Sequence, residues 1–491
     1  MHEGYLARKL GLGVANPRDI DISPEDYVDE QLAMPIEDLA LRDSTSPIKV
    51  VEPWPEKFER PLKEKWRDED QYHSKRRRLE NKKNASTEQI EELDQLSHSL
   101  SWYHREADAY QLIVTNIYSD NHVINRLNIF WSNHFTVSKE HFIGDFIFSS
   151  KRLLNSNFKE LLYHSIKHPA MTTYLDNFTN LGENSEVVKS CKREGCGDWM
   201  PGMNDNLARE LLELHTVSPA RGYTEKDIHE VAKVLAGWGK YLPGDDSDWR
   251  APIEENWVRK AAEPGNKMVL GKRISSGKKG LRELTDFLAE DPMTIEHLSR
   301  KLLRHFCGDP VDDRDVAAVA KVWTDTDGHL PAVHREVLIR AAYKPDQKFL
   351  WPLVWAWQVM RVTGGHPFMG VEQAFIDYDE RLTRQFPSGN HGPNQFFQEL
   401  GMDVFVEGRT PDGFPEDKAE WVSNEHMDRR LRFSEWVYKR AANDAEGSRL
   451  TPAEIAERQR FSSQTVQVAS SFGSDPIFYQ LLMCSPEMME V

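Results

Sequence analysis

The sequence predicts a mainly α protein: a large multi-helix domain with long irregular loops and at most one short β-hairpin. Three observations predict it. Apolar residues recur at helical spacing through most of the 491 residues, period-two alternation is hard to find, and Pro- and Gly-containing clusters punctuate the helical stretches. No internal repeat of roughly 20 to 50 residues is visible. A chain of this length buries a large core without needing a disulfide framework.

Residues 1–85 read as an N-terminal helical and Pro-rich segment packed on a main all-α domain over 86–491. Short helices there are broken by Ile22-Ser-Pro24 and Val51-Glu-Pro-Trp-Pro55, and the segment ends in Lys75-Arg-Arg-Arg78 with Lys82 and Lys83. That basic run reads as a solvated helix face or loop, with docking of an anionic partner as the alternative. Ser86 to Ser119 follows as a long helical stretch or helix pair, started by Thr87-Glu-Gln-Ile.

Asp120 to Phe135 is the next helix, with Asp120 as its cap and Leu127, Phe130, Trp131 and Phe135 as its apolar side. His134 projects inside that stripe, and Arg126 and Asn133 sit on its margin. Pro169 opens a helix reaching Tyr174-Leu-Asp-Asn177, and a polar loop holding Cys191 and Cys196 then runs to Pro201. The helix Asn204 to Thr216 carries a core stripe of Leu207, Leu211, Leu212 and Leu214. Asn206, Arg209, Glu210 and Glu213 share an arc of roughly 100° on its other side, and His215 faces the apolar positions.

Thr224 caps a further helix that finishes at Ala236-Gly-Trp238. Residues 240–280 read as irregular, with a short hairpin around Met268-Val-Leu-Gly-Lys. Helical pattern returns through Leu303, Val316 to Trp323, Leu330 to Tyr343, and a Trp-rich helix with Pro352 in its first turn. From Gly364 to Trp421 the chain is loop-rich, with turn clusters at Pro387 to Pro393 and Thr410 to Pro415.

Composition excludes some function classes. A net charge of -17 argues against wholesale nucleic-acid binding, which needs a basic surface to displace counterions. No segment reaches the roughly 18 apolar residues of a membrane span. The N-terminus, Met1 to Lys9, has no apolar signal region, which gives a cytoplasmic expectation. Neither a Gly-rich phosphate loop nor a Gly-x-Ser-x-Gly elbow occurs, which lowers nucleotide-dependent and serine-hydrolase readings. Cys307 and Cys484 read as core thiols; Cys191 and Cys196 are either free or joined in a short-loop disulfide, a metal site being the weakest reading.

Candidate chemistry gathers on two helices. Glu210 and Glu213, one turn apart with Arg209 beside them, suit a general acid/base pair and an anion clamp, or equally an ion-pair network. Arg209 precedes Glu213 at i, i+4, the poorer orientation, worth at most about 0.5 kcal/mol. His134 is either a buried neutral imidazole or a base or ligand in a cleft. The catalytic candidates are therefore His134, Arg209, Glu210 and Glu213, with Arg126, Asp176 and Asn206 as substrate-binding candidates. A divalent metal would require His134 and the glutamates to converge, and paired Glu-x-x-His motifs are absent. Haem, held between Arg126, His134 and His215, is the weaker cofactor reading. The leading function is a hydrolase-like enzyme with a cleft between these helices, acting on a polar or anionic substrate. The alternative is a non-catalytic interaction or assembly protein in which the same residues form a buried network.

Asn204-Asp-Asn-Leu-Ala-Arg-Glu-Leu-Leu-Glu-Leu-His-Thr216, followed by Gly222-Tyr-Thr-Glu-Lys-Asp227 and Ala236-Gly-Trp238, closely resembles the bacterial domain of unknown function 1800. Leu6 to Gly13, Phe130 to Phe135, Tyr174 to Asn177, Lys267 to Gly271 and Arg300 to Phe306 extend the resemblance nearly end to end, which implies one continuous domain over 1–491. The resemblance implies a mostly helical family without an agreed activity. It also implies a periplasmic or secreted location and an alkaline-phosphatase-like partner protein. Two segments depart from the family pattern: Val217-Ser-Pro-Ala-Arg221 replaces the usual Leu-Gly, and Ala262-Glu-Pro-Gly265 stands where a His-Asp pair is common.

Overall fold

Many helix starts in this chain are set by side chains that accept the otherwise orphaned N–H groups of the first turn, as Ser23, Asn157, Ser185 and Thr224 do. The computed structural model describes residues 1–36, 62–80, 86–93, 107–138, 142–195, 202–239, 256–364, 395–405, 409–441 and 450–491. Lys82, Lys83, Cys196, Pro201 and the turn clusters at 51–55 and 387–393 lie outside them.

The elements up to the first candidate helix are α1 (Glu3–Leu10), α2 (Pro24–Ala33), α3 (Leu62–Glu80), α4 (Ala107–Tyr118) and α5 (His122–His134). α6 (Ile143–Arg152), α7 (Phe158–Lys167), α8 (Pro169–Tyr174), α9 (Glu186–Glu194), α10 (Asn206–Glu213) and α11 (Glu225–Leu235) follow. β1 (Lys267–Val269) and β2 (Lys272–Ile274) pair antiparallel, Met268 opposite Arg273. Leu270 and Gly271 between them both take positive φ, 49° and 82°, as the twist of a two-residue hairpin requires. Then come α12 (Lys279–Ala289), α13 (Pro292–Cys307), α14 (Asp313–Asp325), α15 (Leu330–Tyr343) and α16 (Pro352–Thr363). The last elements are α17 (Gln395–Glu399), α18 (Asn424–Ala441), α19 (Pro452–Arg458), α20 (Ser463–Ser470), α21 (Asp475–Met483) and α22 (Pro486–Met489). The mainly α class and the hairpin are as the sequence predicts.

Three boundaries differ from the sequence reading. Asn121, not Asp120, caps α5: its Oδ1 accepts the Ile124 N–H at 3.2 Å, while Asp120 offers its backbone carbonyl to His122. The polar loop with Cys191 holds a helix instead, α9, because Ser185 caps it, Glu186 opens it, Lys192 and Arg193 close it and Gly195 ends it at φ 85°. Its Val187 and Val188 pack with Leu181, Val258 and Ala261 in a small satellite core. Cys191 is disulfide-bonded, and Cys307 and Cys484 are free thiols. Finally, α10 stops at Glu213, so His215 sits in the turn after the helix, its N–H on the Glu210 carbonyl. Leu214, assigned to the core stripe, is partly exposed there.

Mutual packing of α13, α14 and α15 forms one side of the molecule, with α1 and α2 laid against α15 and α2 also against α5. A single apolar cluster runs from Leu6 to Val491. Every residue of α16 is buried, the polar Gln358, Arg361 and Thr363 included. Buried guanidinium groups tie this core together at helix ends. Arg126 Nη1 donates to the Lys9 carbonyl at 2.5 Å, at the end of α1, and stacks 4.8 Å from Phe306. Arg361 donates to the carbonyls of Gly13, Asn116, Ile117 and Ser119. Each cation meets the negative end of a helix and the carbonyls left over there. Lys75, in the basic run, lies on α3 and pairs with Glu92. No helix among the described residues is long and apolar enough to cross a membrane.

Candidate functional site

α13 places His297 and Lys301 one turn apart on the same face, where they meet the end of α5 and the turn after α10. Lys301 Nζ lies 3.1 Å from His134 Nδ1, and His134 Nε2 lies 3.3 Å from the His215 carbonyl. A carbonyl only accepts, so Nε2 carries the imidazole proton and Nδ1 presents its lone pair to the Lys301 amine. The His134 ring is held by Phe130, stacked at 6.3 Å, and by Phe135, edge-on at 4.5 Å. Both ring nitrogens are engaged, which leaves no lone pair for a metal ion.

Burial decides the charge state of this cluster. It holds His134 well below the ordinary histidine range, with the Lys301 cation adding to the effect, and pulls His215 to about 3 and His297 to about 4. Lys301 itself is drawn down to about 8 by burial, with Asp412 and Glu416 partly opposing the shift and Arg304 reinforcing it. Three neutral imidazoles thus surround an amine that releases its proton unusually readily.

The opposing half is acidic. Burial raises the Glu210 carboxyl above its ordinary range, Glu213 and Asp412 push it the same way, and Arg209 opposes them. Glu213 faces the Tyr223 hydroxyl at 3.5 Å. Asp412, exposed on the 409–416 loop, raises the pKa of both Glu210 and Lys301 through its charge. That loop is fixed to α5 by Asn133, whose amide donates to the Phe414 carbonyl at 3.1 Å and accepts its N–H at 2.8 Å. Gly413, at φ 75°, is required: a Cβ would sit 2.6 Å from the Asn133 carbonyl oxygen and from its side-chain oxygen. Tyr174 donates its hydroxyl to the Arg409 carbonyl on the same loop, and burial lifts that phenol to about 12.

Of the residues picked from sequence, His134, Glu210 and Glu213 belong to this neighbourhood. Arg209 turns outward. Its Nη1 and Nη2 each reach a Glu225 carboxylate oxygen at 3.0 Å, and Nη2 also reaches Asp205 at 3.3 Å, so α11 rather than a ligand takes up its fork. Asn206 is exposed, its backbone N–H on Asn204 Oδ1. Asp176 sits at φ 54° and its carbonyl accepts from Thr179, shaping the turn after α8. Arg126 is committed to the end of α1. Sequence reasoning missed Lys301, Asp412, Tyr174 and Arg409. For Lys301 a signal existed, the His297 and Lys301 pair at i, i+4 beside the Arg300 to Phe306 motif; Asp412 gave none beyond its turn cluster.

Among the described residues, no three His, Cys, Asp or Glu side chains are grouped to hold a metal ion. A family model described as "Protein of unknown function (DUF1800)" matches residues 6–490. No curated protein and no solved structure matches the chain.

Proposed function

Because the chain belongs to the DUF1800 family, whose description carries no reaction, we propose from the site alone that it is an acid/base enzyme of hydrolase type acting on a polar substrate. The observation that carries this is the pair of environments around Asp412: a carboxyl, Glu210, biased toward its protonated form, and an amine, Lys301, biased toward its neutral one. Groups whose surroundings push their protonation in opposite useful directions are how one site supplies acid and base near neutral pH. Glu210 serves as proton donor, Lys301 as base, and His134 is the positioning residue that orients the Lys301 amine. With Arg209 drawn to Glu225, the charges left around the site are those of Glu210, Glu213 and Asp412, which favours a neutral or cationic substrate over an anionic one.

The test is a panel of neutral nitrophenyl esters and nitrophenyl glycosides, followed spectrophotometrically from pH 5 to 10. Turnover should fall at least about a hundredfold in Glu210→Gln and Lys301→Met variants with unchanged circular dichroism. Turnover as fast in both variants as in the parent chain, or none by the parent chain on any substrate, would overturn the reading. One observation favours the non-catalytic alternative for Arg209 alone: its closed pairing with Glu225 and Asp205 is that of a surface network.

A further inference from the structure

Lys301 stands on the side of α13 that faces the end of α5 and is partly exposed, while His134 and His215 behind it are closed off at 1% and 0% exposure. His297, one turn earlier on α13, is also partly exposed. The amine therefore lies at the boundary of the site, with solvent on its outer side and an imidazole on its inner side. That imidazole is fixed in place. Its Nε2 is committed to the His215 carbonyl and its ring is gripped by Phe130 and Phe135, so the Nδ1 lone pair is aimed at Lys301 Nζ, 3.1 Å away.

Other deeply set lysines of this fold are held differently. Lys9 meets Asp346, Lys65 meets Asp108 and Asp145, and Lys348 meets Glu416, each cation matched by a carboxylate. Among the described residues no carboxylate pairs with Lys301; Asp412, Glu416 and Arg304 act on it only through their charge. A lone-pair acceptor in place of a carboxylate suits an amine rather than an ammonium: one N–H goes to His134 and the nitrogen's own lone pair stays available. At pH 7 an amine brought to about 8 is about 10% neutral, against about 0.03% for an ordinary lysine.

We propose that Lys301 is a nucleophile as well as a base, forming a reversible imine with neutral aldehydes. The Nζ lone pair attacks the carbonyl carbon, a C–N bond forms, and the C=O π pair moves onto oxygen. Both amine hydrogens then pass through solvent to that oxygen, which departs as water as the C=N bond forms; nothing is oxidised or reduced. A solvent proton taken up by the imine nitrogen faces His134 Nδ1, so the hydrogen bond that orients the amine also holds the protonated imine. The carboxylates near Glu210 specify a neutral carbonyl compound, since Glu213 and Asp412 repel the anion of an α-keto acid. The inference rests on the Lys301 amine of the acid/base site and names a second substrate class for it.

Brief exposure of the full chain at pH 7 to D-glyceraldehyde with cyanoborohydride reduces the imine to a stable secondary amine, which peptide mass spectrometry locates. Lys301 should be labelled at least about tenfold faster than the exposed Lys226 and Lys272 of the same sample. Anionic glyoxylate in place of glyceraldehyde should lower that ratio at least about tenfold. His134→Leu, with unchanged circular dichroism, should bring Lys301 down to the rate of the exposed lysines; should that variant fail to fold, the two ratios of the parent chain decide. The proposal is overturned if Lys301 labels no faster than Lys226, or if neither glyoxylate nor His134→Leu lowers the ratio. Loss of nitrophenyl turnover in Lys301→Met, without selective labelling of the parent chain, overturns the imine and leaves the base standing. Selective labelling with no turnover of any nitrophenyl substrate does the reverse.

Discussion

Replacing Lys301 by Met should change the shape of the protein's pH–stability curve. In the unfolded chain the amine titrates near its ordinary 10.5, whereas in the folded protein burial brings it to about 8. Between those values the unfolded state binds more protons, so wild-type stability rises with pH across that window. At pH 7 the buried ammonium costs the folded state about 3 kcal/mol, and by pH 9.5 about 2 kcal/mol of this has been recovered. Lys301→Met has no such term. It also strips His134 Nδ1 of its donor, a loss of about 1–3 kcal/mol that does not vary over this range and drops out of the comparison. The assay is urea unfolding of both proteins from pH 7 to 9.5, followed by tryptophan fluorescence. The wild-type midpoint should climb relative to the variant's as pH rises; parallel curves would refute the claim that Lys301 is a strained cation and remove the base from the proposed site.

Thr224→Ala should destabilise by about 1 kcal/mol in the same unfolding assay, since Thr224 and Asp227 form a reciprocal capping box at α11. Gly144→Ala should lower the melting temperature sharply, because its Cβ would meet the Asp108 carboxyl at 2.3 Å beside the buried Lys65 ion pairs with Asp108 and Asp145. Arg209→Ala should leave the unfolding midpoint almost unmoved, as an exposed pair contributes little; a large loss would mean the fork holds something other than Glu225. In denaturant without reductant, iodoacetamide should label Cys307 and Cys484 only, with Cys191 becoming reactive after reduction, as intact-mass spectrometry would report.

Much of the fold was legible because its signals are local. Pro352 at the head of a Trp-rich, mostly apolar run, Thr224 three residues before Asp227, and the Leu-Gly pair at the hairpin each specify a conformation within a few residues. α9 escaped because its buried face is only Val187 and Val188, too short a stripe to show a period; its evidence is in its caps. The candidate site was half legible for a related reason. Periodicity placed His134 in an apolar stripe and Glu210 with Glu213 on one face, but which partner each meets is a tertiary fact. Arg209 looked like a companion to the glutamates until α11 supplied Glu225, and Lys301 gained its character only from groups that α5, α10 and the 409–416 loop bring to it.

The segment from Asp346 to Arg361 is where the two ends of the chain are stitched in. Lys9 pairs with Asp346 at 2.5 Å, Gly13 is gripped by Arg361, and the Lys348 backbone exchanges hydrogen bonds with Val491. During synthesis, Lys9 therefore waits for more than two thirds of the chain before it meets Asp346, although Arg126 reaches its carbonyl much earlier. Chain closure over such separations is slow relative to local helix formation. The faces of α1 and α2 that pack on α15 are covered only once that helix is made, so the protein should tolerate circular permutation poorly near residue 350.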